Sequence, residues 1–248
     1  CIRDRIDTLV GMFGLGLIPS GSRDPFGLRR AAQGLVKIVF EADLPLDLDL
    51  VAALATRLYG DRIDQGGEQI LMSLRPFLHD RIRHLLGLEG FAYDTIEAGL
   101  AAGSSNLPDL RSRVRALHEI RDEPAFLSVV LAAKRIANIV KNSAEQTLEA
   151  ELLHEAAEKD LFQAAECHRE IVETAEAAGD YDRCLRQITD LAEVLDRFFV
   201  EVLVMDDDAE IRDNRIALLQ SIQRMISRTA RLTEVVVDKS EHRGRSVT

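Results

Sequence analysis

Apolar residues recur at helical spacing along most of this chain, and this periodicity constrains its fold more than any other feature. At the amino terminus Ile2, Ile6, Leu9, Val10 and Phe13 lie three or four positions apart, as on the buried face of an amphipathic helix. Hydrophobic residues make up 46% of the 248 residues, but aromatic residues only 5%, and Trp is absent. Because β-strands favour aromatic and β-branched residues, the sequence predicts an all-α fold.

The segment after this first helix predicts a loop followed by a capped helix. Gly14 and Gly16 loosen the backbone, and residues 19–22 supply a Pro-Ser-Gly-Ser turn. Asp24 can accept hydrogen bonds from the first free backbone N–H groups of a helix, and Pro25 suits the first helical position. We therefore predict a helix that begins at Asp24, with a buried stripe formed by Leu28, Ala31, Ala32, Leu35, Val36 and Val39.

The same spacing predicts further helices, separated by glycine, proline and short polar stretches. Their predicted ranges are 50–59, 68–86, 91–102, 109–120, 124–142, 144–178, 181–204 and 209–233. Pro76 falls inside the second of these and should kink or split it. The small, polar residues 103–108 are the best candidate for a domain boundary. The chain opens on Cys1 inside a predicted helix, so we expect it to be the C-terminal part of a longer polypeptide.

Composition and charge limit the possible partners. The net charge of −11 argues against nucleic-acid binding by bulk electrostatics and against a DNA-binding role, although one local basic face remains compatible with RNA. The longest uncharged run, 8–22, is too short to span a membrane. Cys1, Cys167 and Cys184 are not clustered, which argues against a disulfide framework or a thiolate metal site and favours a reducing compartment.

The remaining motifs favour structural roles over catalysis. Asp206, Asp207 and Asp208 precede a predicted helix and are better placed to cap it than to bind a divalent cation. No histidine has a partner at ligand spacing, no cysteine has an adjacent base, and no glycine-rich phosphate loop opens a helix. We therefore predict no catalytic residue and no metal site in this chain.

A polar face on the helix predicted over 124–142 is the candidate site. Lys134, Asn138 and Lys141 recur at i, i+4 and i+7, with Arg135 at the edge of the same face. We add three residues near the start of the last helix to the candidate RNA contacts: Arg212, Asn214 and Arg215. Cations, guanidinium planes and amides suit the recognition of RNA loops. The alternative is that these residues cap helices or form salt bridges, and Arg212 and Arg215 could pair with residues 206–208.

Four stretches of the sequence closely resemble the β subunit of the bacterial, tetrameric type of glycyl-tRNA synthetase. They are D-R-I-D-T-L-V-G at 4–11, G-L-I-P-S-G-S-R-D-P-F-G-L-R-R-A-A at 16–32, A-K-R-I-A-N-I-V at 133–140 and F-F-V-E-V-L-V-M-D-D-D-A-E-I-R-D-N-R-I-A-L-L at 198–219. The last two resemble the anticodon-binding region of that subunit, and the likeness is weaker over 41–69.

The resemblance implies a domain order. Residues 1–66 would end an HD-like helical domain, 67–108 would form a helical connector, 109–235 would form a DALR-like anticodon-binding bundle, and 236–248 would be a disordered tail. It also implies an enzyme of two α and two β chains, bacterial and cytoplasmic or organellar, that joins glycine to its tRNA. ATP and Mg would be used at the α subunit, so no cofactor is expected here. The implied partners are glycine tRNA and the α subunit, with no membrane.

Within this resemblance, Asp4 and Asp7 match the last element of an HD-type metal site. The earlier ligands do not occur in this chain, and His79-Asp80 falls after the opening stretch, so such a site would be incomplete. Arg29 and Arg30 are candidates for a domain interface or for contact with the tRNA backbone; only Arg29 lines up with Lys37. Two other functions stay open: a helical interaction scaffold without RNA binding, and a remnant of an HD-type phosphohydrolase.

Overall fold

The structure is a computed structural model that describes residues 1–237. Within this range the chain forms α-helices and short 3-10 helices but no strand, which confirms the predicted all-α fold. None of these helices has the length and apolarity needed to cross a membrane. The helices are α1 Ile2–Gly14, α2 Leu28–Glu41, α3 Leu48–Tyr59, α4 Gly67–Leu88, α5 Tyr93–Ala102, α6 Leu107–Ile120, α7 Pro124–Val140, α8 Ala156–Ala177, α9 Tyr181–Thr189, α10 Ala192–Glu201 and α11 Ala209–Thr229.

The chain divides into two compact units. The first contains Cys1–Ile96 and Gly103–Arg111, and the second contains Glu97–Ala102 and the described residues from Ser112 onward. Helix α4, at the start of the predicted connector, packs against α1, α2 and α3, so the structure does not separate that connector from the predicted HD-like segment. The predicted domain assignments stay predictions, and positions 238–248 of the predicted tail lie outside the described residues.

The first unit is built around α1, whose predicted apolar face is buried. Phe13 is fully buried and meets the ring of Phe77 on α4 edge to face, with 5.2 Å between the centroids. Gly14 ends the helix at a close approach, because a Cβ atom there would lie 2.8 Å from the Ile63 side chain. This position therefore requires glycine for its small size more than for its conformational freedom. Helix α4 runs through Pro76 without being split.

Helix α2 begins at Leu28, so the predicted start at Asp24 is wrong. Gly27 adopts a left-handed conformation, with φ of 64°, and its N–H donates to the Asp24 carbonyl oxygen at 3.2 Å. This turn separates Pro25 from the helix. The Asp24 carboxylate nevertheless caps the helix from one turn upstream, since it accepts hydrogen bonds from the backbone N–H of Leu28 at 2.8 Å and of Arg29 at 3.0 Å.

Replacing Asp24 with Ala should therefore destabilise the first unit even though this residue precedes the helix. Two backbone N–H groups would lose their acceptor, and the loss of a helix cap lowers the free energy of unfolding by about 1 kcal/mol. Urea denaturation followed by circular dichroism measures the change. The control is Asp122→Ala, because Asp122 is 92% exposed and its loss should change stability by less than about 0.5 kcal/mol. Equal effects of the two substitutions would contradict the cap.

Two helices of the second unit are shorter than predicted. The helix predicted over 144–178 begins only at Ala156, because the preceding stretch is held to α11 by side-chain amides. Gln220 donates to the Ala144 carbonyl oxygen at 2.8 Å and accepts from the Gln146 N–H at 3.0 Å. The helix predicted over 181–204 is interrupted between α9 and α10, where the Leu191 side chain is fully buried.

Candidate functional site

The predicted polar face lies along α7 and at Lys141, the residue that follows it, opposite the side that enters the core. That helix buries Phe126, Val129, Val130, Ala132, Ala133, Ile136 and Val140. Arg135, Asn138 and Lys141 are exposed and Lys134 is half-buried; these four residues are called the α7 polar face below. Among the described residues, no carboxylate lies within ion-pair distance of Lys134, Arg135 or Lys141. The face is therefore a row of cations without internal neutralisation.

Arg135 stacks on an aromatic side chain that the sequence analysis did not single out. Its guanidinium carbon lies 4.2 Å from the centroid of the Phe199 ring on α10, well within the range of a cation–π contact. Phe199 is half-buried against the core of the second unit. The only sequence signal for this contact is the F-F pair within the stretch that resembles the anticodon-binding region.

Arg215 has a structural position that excludes it from a binding surface. Its side chain is 6% exposed and its Nε donates to the carboxylate of Glu158, which is 1% exposed. Its Nη1 donates to Asp206 Oδ2 at 2.7 Å and to the Leu203 carbonyl oxygen at 2.8 Å. The structure therefore supports the salt bridge for Arg215, which the sequence analysis gave as the alternative to RNA binding. We remove Arg215 from the candidate RNA contacts.

Asn214 and Arg212 are also engaged within the fold. Asn214 is 4% exposed; its amide donates to the Glu149 carbonyl oxygen at 2.9 Å and accepts from the Glu149 N–H at 2.8 Å. Arg212 is 31% exposed and its Nη1 donates to the Asp206 carbonyl oxygen at 3.0 Å. The start of α11 therefore anchors the preceding loops, and it does not extend the α7 polar face.

Of the three aspartates before α11, Asp208 caps the helix as predicted. Asp208 accepts hydrogen bonds from the N–H groups of Glu210 at 2.9 Å and Ile211 at 3.4 Å. Asp206 accepts from the Asp208 N–H at 3.0 Å. This backbone hydrogen bond, followed by the Arg215 side chain, lowers the pKa of Asp206 below its usual value.

In the first unit, Arg29 holds the loop that precedes α2. Its Nη2 donates to the Gly21 carbonyl oxygen at 2.6 Å and its Nη1 to the Arg23 carbonyl oxygen at 3.3 Å. Arg30 is exposed. The structure therefore gives Arg29 an intramolecular role and leaves Arg30 as the candidate contact.

No metal-binding group forms in the part of the chain that the structure describes. Residues 1–237 contain no group of three His, Cys, Asp or Glu side chains able to hold a metal ion. Asp4 instead pairs with Arg3. Burial, followed by the charge of Glu176, raises the pKa of the Cys184 thiol to about 11, so this cysteine is not an activated nucleophile.

Two family models match separate parts of this chain. The family model described as glycyl-tRNA synthetase beta subunit matches residues 1–101, and the model described as DALR anticodon binding domain matches residues 129–237. The second match contains the whole α7 polar face and Phe199.

Curated relatives extend the same likeness over nearly the whole chain. A protein of Moorella thermoacetica named glycine--tRNA ligase beta subunit is 39% identical over 239 residues, 95% of this chain and 34% of the relative. A protein of the same name from Acidobacterium capsulatum is 38% identical over 246 residues, again 95% of this chain and 34% of the relative. The chain thus spans about a third of the length of these relatives, and 95% of it is similar to proteins named glycine--tRNA ligase beta subunit.

Proposed function

We propose that the second unit binds the anticodon stem-loop of glycine tRNA through the α7 polar face. The observation that carries this proposal is the unneutralised row of Lys134, Arg135 and Lys141 in a chain whose net charge is −11. Most other arginines of the second unit that the structure describes pair with carboxylates, as Arg197 does with Asp160 and Glu201. A row of cations that lacks internal partners suits the phosphates of an RNA loop.

The arrangement offers binding chemistry and no catalytic group. Cations neutralise phosphates, and the exposed amide of Asn138 can donate to and accept from a base edge. From the resemblance to the tetrameric glycyl-tRNA synthetases, we propose that ATP and Mg are used at a partner α subunit. The chain then contributes by holding the tRNA so that its acceptor end reaches that subunit. We extend the proposal to an α2β2 enzyme that attaches glycine in the bacterial cytoplasm or an organelle.

The double substitution Lys134→Ala and Lys141→Ala tests the proposed face. It should weaken binding of the glycine tRNA stem-loop and lower the slope of log K against log salt concentration by about 1 for each lost phosphate contact. Fluorescence anisotropy of a labelled stem-loop, titrated with the 248-residue chain at several salt concentrations, measures both quantities. Helix content should not change, because Lys141 is exposed and Lys134 is half-buried without an ion pair among the described residues.

The matched control is Lys159→Ala, which removes an exposed lysine of the same unit on α8. It should leave the salt slope unchanged. If the control and the double substitution gave the same slope, the α7 polar face would not be the binding surface. If the unaltered chain did not bind the stem-loop, the interaction scaffold would be the better function.

A further inference from the structure

We propose that the stacked pair of Arg135 and Phe199 is a platform on which one unstacked base of the tRNA loop lies. This inference rests on the proposed function. It names Arg135 as the residue that would contact a base and Phe199 as the residue that supports Arg135 from the opposite side, as distinct from the lysines that would contact phosphates.

The geometry of Arg135 supports contact with a planar partner. Its guanidinium carbon lies over the Phe199 ring, 4.2 Å from the centroid, and Arg135 as a whole is exposed. We infer that the ring shields one side of the guanidinium and that the other side is open to solvent. A guanidinium plane is weakly hydrated and stacks on π systems, so a nucleobase can stack on the open face and form a ring–guanidinium–base sandwich.

The core of the second unit and two polar contacts hold the platform in place. The Phe199 ring meets the fully buried Phe198 edge to face, with 5.4 Å between the centroids and an interplanar angle of 75°. Two polar contacts fix α10 on both sides: Ser128 on α7 donates to Asp196 Oδ2 at 2.6 Å, and Arg197 pairs with Asp160 on α8. A fixed platform loses little conformational entropy when a base stacks on it.

The chain next to Phe199 adds exposed apolar surface. Val200, Leu203 and Met205 are 85%, 70% and 60% exposed, and Leu203 is anchored through its carbonyl oxygen by Arg215. A surface that combines an open guanidinium plane, apolar side chains and nearby unpaired lysines matches the mixed aromatic and cationic character of single-stranded RNA sites. A carboxylate-rich protein partner would use the cations but would not need the stacked plane.

The test separates stacking from charge with Arg135→Lys and Phe199→Leu. Lysine keeps the positive charge but has no plane, and leucine keeps apolar volume but has no ring. Each substitution should raise the Kd for the glycine tRNA stem-loop by about ten-fold. The salt slope should stay that of the unaltered chain, since the number of phosphate contacts does not change. The probe is a stem-loop with 2-aminopurine at one unpaired loop position at a time.

Stacking on the platform should also change the fluorescence of 2-aminopurine at one loop position when the unaltered chain binds, and both substitutions should abolish that change. The control is Arg224→Lys, an exposed cation of the same unit that pairs with Glu145. It should alter neither the Kd nor the fluorescence. Binding by the unaltered chain with no effect of Arg135→Lys and Phe199→Leu would overturn the platform and leave the proposed function standing. Absence of binding by the unaltered chain would overturn both.

Discussion

Replacing Arg215 with Ala is expected to lower the free energy of unfolding of the second unit by about 3–5 kcal/mol. The reason is the carboxylate that the substitution would leave behind. Glu158 is 1% exposed, and its other oxygen already accepts the backbone N–H groups of His154 at 2.7 Å and Glu155 at 3.0 Å. Without the guanidinium, a buried charge would lose its counter-ion while its position stayed fixed by the cap of α8.

Two measurements check this expectation. Urea denaturation followed by far-ultraviolet circular dichroism gives the total loss of stability, and hydrogen–deuterium exchange shows whether protection falls in α8 and α11. The control is Arg197→Ala, because that arginine is 45% exposed and pairs with two carboxylates that are themselves 45% and 48% exposed. Exposed pairs contribute about 0–1 kcal/mol. A loss of similar size in the two variants would contradict a special role for the buried pair.

The same variant clarifies how an RNA-binding result should be interpreted. Arg215→Ala is expected to weaken stem-loop binding only as far as it lowers the folded fraction of the second unit. In the absence of urea, at a temperature where the variant stays folded, its salt slope should equal that of the unaltered chain. The α7 lysines should behave in the opposite way, with a changed slope and unchanged stability. These two signatures distinguish a residue that supports the fold from one that contacts the ligand.

The sequence predicted the helices well because a repeated apolar spacing is a local property. The cap at Asp208 and the end of α8 before Gly179 both depend on residues within one turn. The errors arose where another contact overrides the local preference. Residues 144–155 have helical spacing, yet Asn214 and Gln220, more than sixty positions later, bind their backbone in a non-helical form.

For the candidate site too, the sequence predicted the local features and missed the contacts between distant residues. The α7 polar face was predictable because Lys134, Asn138 and Lys141 lie on one helix and their spacing alone places them together. Arg215 was misjudged because Glu158, the carboxylate that buries it, lies 57 positions away. Phe199 was missed for the same reason, since no local pattern predicts that α10 places its ring under Arg135. Sequence reasoning finds a shared helix face, whereas the partner of a side chain depends on tertiary packing.

Replacing Phe198 with Ala is expected to be the second large effect, about 3–5 kcal/mol in the free energy of unfolding of the second unit. Its side chain is fully buried in the core of that unit, so truncation leaves a cavity. The expected losses for the two controls are smaller. Phe198→Leu, which keeps most of the volume, should cost about 1 kcal/mol, and the exposed Val200→Ala should change stability by less than about 0.5 kcal/mol.

Phe198→Ala should also change the position of the proposed platform, because the lost ring supports Phe199 from the core side. In this background Arg135→Lys should have a smaller effect on stem-loop affinity than in the unaltered chain, since residues in contact are not additive. A double-mutant cycle on the Kd, measured under conditions where both variants are folded, gives this coupling. Val200→Ala provides the reference cycle and should show none. Equal coupling in the two cycles would mean that the core beneath Phe199 does not position Arg135, and that the platform depends on α7 alone.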